Sequence, residues 1–267
     1  MIANTDTPET DKHGNLRRRF LGRLLTIGGL SGLGILFGKV MPPKAHAKVD
    51  GNCVNNMPNV KTSFNHHLAY PDVNPTAYVH PLASVIGNIY LGKRVMVSPC
   101  SSIRGDEGTP IYVGDGSNVQ DCCVIHALET MEGGHEVTKN LYEVNGKKYA
   151  VYIGKNVSLA HQSQVHGPAV VGNDVFVGMQ ALVFKAVIGN NCVIEPGAKV
   201  LGVEVADNRY VHMGTVLNKQ ADADNLPEIT DAYPFKKLNS GVVHVNIQLA
   251  DGYNGKLPKE LAGGEHH

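Results

Sequence analysis

Aliphatic residues recur every six positions along most of this chain, and no other feature restricts its fold so tightly. From Val73 the series runs Val79, Val85, Leu91, Val97 and Ile103. After a four-residue insertion it resumes at Val113, Val119 and Ile125. After a longer insertion it continues through Ile153, Leu159, Val165, Val171, Val177 and Val183. Two single-residue skips separate the last triplets, Ile188, Ile194, Val200 and Val205, Val211, Leu217. A six-residue period fits neither an amphipathic helix nor a two-faced strand. It fits a hexapeptide solenoid, in which three short strands close one triangular coil and each inward side chain stacks on its equivalent about 4.8 Å away.

Grouping the series by threes predicts an all-β chain: a left-handed parallel β-helix of about seven triangular coils over residues 73–220. Glycine is abundant, at 30 residues, and tryptophan is absent, which suits short strands and tight turns. Residues 127–152 stand outside the coils as one long excursion, and long loops in compact domains are usually functional. Residues 221–267 lose the period; spaced apolar residues from Thr230 to Gly252 predict an α-helix along the prism, interrupted at Pro234 and Gly241. Residues 48–72 form an N-terminal arm.

Residues 1–47 read as an export signal. Arg17-Arg18-Arg19-Phe20-Leu21 resembles the twin-arginine motif, a glycine-diluted apolar stretch follows from Leu24 to Val40, and Ala45-His46-Ala47 has the small-x-small form of a cleavage site. The apolar stretch is shorter than the roughly 20 residues of a membrane span. The expectation is therefore a periplasmic protein with no stable membrane anchor after cleavage. The chain balances 24 basic against 24 acidic residues, but seven of the basic and three of the acidic lie in 1–47. The remainder is mildly acidic, which argues against a nucleic-acid partner. Cys53, Cys100, Cys122, Cys123 and Cys192 show no CxxC spacing, and the sequence singles out no disulfide pair.

Of 13 histidines, three are distinguished by where the period puts them. His126 follows Ile125 and His166 follows Val165, both third-column residues one coil apart, so the two imidazoles project outward from one wall. Arg104 follows Ile103 and joins that ladder. His161 lies two residues after the middle-column Leu159 and so near a different wall. In a threefold trimer unlike walls of neighbouring prisms meet, and two imidazoles from one protomer with one from the next can converge on a metal. Imidazole suits zinc, with iron or cobalt as alternatives.

Several stretches resemble the gamma-class carbonic anhydrases: Ser101-Ser102-Ile103-Arg104-Gly105-Asp106-Glu107-Gly108, Ser117-Asn118-Val119-Gln120-Asp121, His126-Ala127-Leu128-Glu129-Thr130, and Ser158 through Pro168. The long loop ending in Tyr149-Ala150-Val151-Tyr152-Ile153-Gly154 adds specificity, and the similarity runs from about Pro75 to about Tyr253. The resemblance implies a homotrimer that interconverts CO2 and bicarbonate by a metal-bound hydroxide at the trimer interface, with one divalent metal per site held by His126, His161 and His166. It further implies Glu129 as proton shuttle, Glu107 beside the attacking water, Gln120 hydrogen-bonded to water or substrate, and Asn118 and Asn246 near the active site. Arg104 would pair with Asp106 or Asp121 across the trimer. His244 stands where the best-known subtype has a tyrosine. The alternatives are a hexapeptide acyltransferase and a non-catalytic assembly subunit.

Overall fold

A computed structural model describes residues 56–256; the expected signal segment, the first part of the arm, Cys53 and the tail lie outside the described residues. Each of the three aliphatic columns becomes one parallel sheet. The first wall holds Val73, Leu91, Val113, Ile153, Val171, Ile188 and Val205 in register. The middle wall runs from Val79 to Val211. The third runs from Val85 through Ile103, Ile125, Val165, Val183 and Val200 to Leu217. The architecture is the expected left-handed β-helix. Every column member after Val73 is at most 3 % exposed. Full burial of each such side chain is worth about 1.5–3 kcal/mol.

A second inward position, two residues before most of the aliphatics, is also buried; it takes valine or isoleucine in some coils, as at Ile89, Ile111 and Val157, and small residues in others. Ala77, Ala83, Ala169 and Ala198 fill it with methyl groups. Ser101 and Ser117 fill it with hydroxyls that donate to the carbonyls of Gln120 (2.7 Å) and Gly154 (2.9 Å). Cys123 and Cys192 occupy the same position as buried free thiols. Burial pushes both thiols up, Cys192 to about 11. They are core residues, unsuited to attack at neutral pH.

The expected boundaries shift in three places. Asn56–Met57, in the arm, pairs with Val85–Ile86 and gives the third wall an eighth strand. The excursion contains two antiparallel hairpins, Met131–Glu132 with His135–Glu136 and Tyr142–Val144 with Lys147–Tyr149. The C-terminal helix spans Leu238–Tyr253 without interruption, preceded by a short helix at Gln220–Asp224. Pro234 lies before the long helix. A Cβ at Gly241 would meet nothing within 4 Å, so that glycine costs only helix propensity and does not break the hydrogen-bond ladder. The helix packs on the middle wall, against strands Met96–Val97, Asn118–Val119 and Ser158–Leu159.

The column predicts its own sensitivity. Ile153→Ala, in the first wall and away from the histidines, should lower unfolding free energy by about 2–5 kcal/mol in denaturant titration. Gly241→Ala should raise it by up to about 1 kcal/mol.

Candidate active site

The third wall carries His126 and His166. His126 pairs in register with His166, and Phe184 follows on the next coil. The two imidazole rings meet edge to face at 5.4 Å between centroids, and His166 lies 5.4 Å from the Phe184 ring. Arg104 Nη2 stands 2.9 Å from His126 Nε2. A guanidinium can only donate, so a neutral His126 presents its Nε2 lone pair. Asp106 and Glu107, in the turn after the Ser102–Gly105 strand, bring carboxylate oxygens to 3.4 and 3.2 Å of the same nitrogen. Among the described residues, Asp106 Oδ1 is buried with no hydrogen-bond partner. Burial, and after it the Arg104 guanidinium, hold the His126 imidazole below its ordinary range, against the opposing pull of Glu107 and Asp106.

The turn bearing Glu107 is sewn to the excursion. Thr130 donates to the Glu107 carbonyl from its amide (3.0 Å) and its hydroxyl (3.1 Å). Gly108, at φ +113°, leaves the space that Thr130 fills, and a Cβ there would collide with the threonine hydroxyl. Glu129 therefore sits one residue from a backbone bond to Glu107. Its own carbonyl accepts from Asn140 Nδ2 at 2.7 Å.

The middle wall and the corner after it carry Asn118, Gln120, Asp121 and His161. His161 donates from Nδ1 to Asp121 Oδ2 at 2.9 Å, and His166 donates from Nδ1 to the Gly167 carbonyl at 3.0 Å. Both rings thus keep a bare Nε2. Gln120 donates to Asn118 Oδ1 (2.9 Å), and Asn118 donates to Ser158 Oγ (2.9 Å) in a buried relay under the helix. Gln120 and His161 line an apolar cleft of about 370 Å³ closed by Phe176, Met179, Leu238 and Val242. Asn246 is buried and donates to the Val242 carbonyl at 2.9 Å. His244 is exposed on the helix and accepts from Gln248 Nε2 at 2.8 Å.

Among the described residues, the side chains that converge closely enough for one ion within a protomer are Asp106, Glu107 and His126, with ligand atoms within 4.8 Å of one another. His161 is not in that group, because it belongs to another wall. Within the protomer Arg104 Nε lies 3.4 Å from Asp106 Oδ2, and Asp121 holds His161. Both contacts are local: Asp106 is two residues from Arg104, and Asp121 lies one coil from His161. Sequence reasoning passed over Glu195, whose buried carboxylate accepts from Tyr233 Oη (2.8 Å) and the Met213 amide (3.0 Å) at the floor of the cleft. Burial and that bond push the Tyr233 phenol far up. The available signal was positional: Glu195 follows Ile194 just as Gln120 follows Val119.

No family model matches the chain. A carbonic anhydrase of Methanosarcina thermophila is 58 % identical over 196 residues, covering 73 % of this chain and 79 % of that protein. The chain belongs to the gamma-class carbonic anhydrase family. Other members of this wider group of relatives differ in name. The carboxysome assembly protein CcmM of Nostoc sp. is 35 % identical over 72 % of this chain, which spans only 33 % of that longer protein. Among solved structures, a hexapeptide transferase family protein from Anaplasma phagocytophilum aligns with a TM-score of 0.52 at 24 % identity, over 69 % of this chain and 93 % of its own. That likeness shows the shared solenoid fold.

The depressed His126 pKa has a measurable consequence. In protein stripped of metal, its ring resonances should titrate below about 6.5. An unfolded chain binds that proton more readily, so the stability tied to a neutral His126 is complete above about pH 6.5 and is lost as pH falls below it. Ring-selective NMR with parallel denaturation curves checks both statements.

Proposed function

We propose that this protein is a metal-dependent carbonic anhydrase that interconverts CO2 with bicarbonate and a proton, at a site shared by two protomers of a homotrimer. The observation that carries the reading is the set of three imidazoles: the His126 Nε2 lone pair is held by Arg104, which must swing aside for a metal, while Asp121 and Gly167 occupy the far nitrogens of His161 and His166 and leave their Nε2 lone pairs for a ligand. Outer partners of this kind are what orient metal-bound histidines. The orphaned Asp106 Oδ1 beside His126 adds a place for a cation or its water. Three neutral nitrogens suit zinc, and iron or cobalt would also fit. When bound, such a cation supplies Lewis acidity that brings the pKa of a water from 15.7 to about 7.

The remaining chemistry belongs to the chain. Glu107, within 3.2 Å of His126 Nε2, takes a proton at its carboxylate from water entering the site. Glu129 carries it to buffer. The Thr130 bonds keep the two glutamates' segments together. Gln120 has one N–H committed to Asn118, so its second N–H and its carbonyl oxygen are available to orient the substrate's oxygens. The apolar cleft beside it excludes water from that side. The export-signal pattern over residues 1–47 supports a periplasmic location for this activity. A rival assembly role, in keeping with the CcmM name, predicts the same fold with no turnover.

Stopped-flow CO2 hydration and metal analysis on protein recovered from the periplasmic fraction test the proposal. Turnover with about one metal per protomer is expected, and metal-loaded protein without turnover would overturn it. Glu129→Ala should lower turnover by about 10²-fold in weak buffer and recover partly with imidazole. The shared site has its own test. His126→Ala and His161→Ala should each be inactive alone, yet co-refolded mixtures should regain up to about a quarter of wild-type activity, because mixed trimers contain some intact interfaces. No recovery in verified mixed trimers would place all ligands in one protomer.

A further inference from the structure

Cys100 and Cys122 occupy the same corner of consecutive coils. Each lies three residues after its middle-column aliphatic, Val97 or Val119, and three before its third-column partner, Ile103 or Ile125. Among the described residues of the single chain both thiols are exposed and free. Both residues adopt the same left-handed backbone, φ 60° and 59°, as do Gln162 (63°) and Gln180 (58°) at the same corner of the next two coils. The Cys122 amide donates to the Pro99 carbonyl at 3.2 Å, which fixes the two coils directly against each other here. The glutamine pair shows what side chains can do at this corner: Gln180 Nε2 reaches Gln162 Oε1 at 2.9 Å across one coil.

A coil spacing of about 4.8 Å lies within the Cα separation of 4.4–6.8 Å that a disulfide accepts. Parallel Cβ vectors start near the same spacing, slightly beyond the usual Cβ separation of about 3.5–4.5 Å, so closure draws the corner in by a few tenths of an ångström. Bridges that are exposed and slightly strained are the readily reduced ones. The buried Cys123 and Cys192 sit in the interior stack and are withdrawn from exchange. We propose that Cys100 and Cys122 are a modification site, forming a reversible disulfide between adjacent coils in an oxidising compartment. The thiolate of one cysteine attacks a small-molecule or protein disulfide, forming a mixed disulfide and releasing one sulfur as a thiol. The thiolate of the other then displaces the second sulfur. The Sγ–Sγ bond forms, the oxidant's disulfide is reduced to two thiols, and the two cysteine protons pass to them. The bridge would clamp the corner that carries Asp121, the residue before Cys122 and the partner of His161.

The experiment uses the full chain after export or refolding, equilibrated with glutathione disulfide, alkylated and digested with trypsin. Arg104 lies between the two cysteines, so cleavage there separates their peptides. The expected result is loss of two alkylatable thiols and one linked species joining the Cys100 and Cys122 peptides, with both thiols regained on mild reduction. Cys100→Ser and Cys122→Ser should each abolish the linked species while keeping the far-ultraviolet spectrum of the parent. Independent alkylation of both thiols after oxidation would overturn the proposal. So would linkage of either one to Cys53, or a linked species that survives in Cys122→Ser. None of these outcomes depends on the protein having carbonic anhydrase activity.

Discussion

Side chain upon side chain, one coil apart, is the contact on which everything else in this molecule rests. An inward valine, isoleucine or leucine touches its equivalent above and below at the spacing of a parallel sheet. The backbone ladder and the core therefore have the same period, and neither can slip without the other. A register error of one residue would turn a whole column outward. That rigidity is what allows outward residues to be positioned by counting. Arg104, His126, His166 and Phe184 line up because the residues before them are locked.

The chemistry of the site grows from unlike neighbours along that ladder. A guanidinium, two carboxylates and an imidazole are gathered around His126 Nε2 within a few ångströms. Such a cluster is electrically frustrated when no ion is bound: the carboxylates favour a charged ring, while burial and Arg104 favour a neutral one, and the neutral form prevails. On the adjoining wall His161 is held by a carboxylate on the preceding coil.

Most of the coil body could be read from the sequence, because periodicity survives as long as the core does. The columns, the in-register histidines and the separate wall of His161 all follow from counting. What escaped counting has local causes. The second inward position mixes valine and isoleucine with alanine, serine and cysteine, so no single residue type marks it along the chain. Gly241 suggested a break in the helix, but its exposed position lets the backbone ladder pass through unaltered. The Glu195–Tyr233 bond joins residues 38 apart in the chain, and only the fold of the segment before the helix brings them together.

Both large insertions leave the solenoid at one corner, between the third wall and the first, and Thr130 fastens one to the other. The candidate ligands lie on strands or in the tight corner beside a strand, while the two glutamates lie on these appendages. Loop sequence and length can therefore drift without moving a histidine. In such a body the speed of acid–base exchange with solvent and the affinity for the ion are separately adjustable, and a lineage could retune the first for a new buffer or pH while leaving the second untouched.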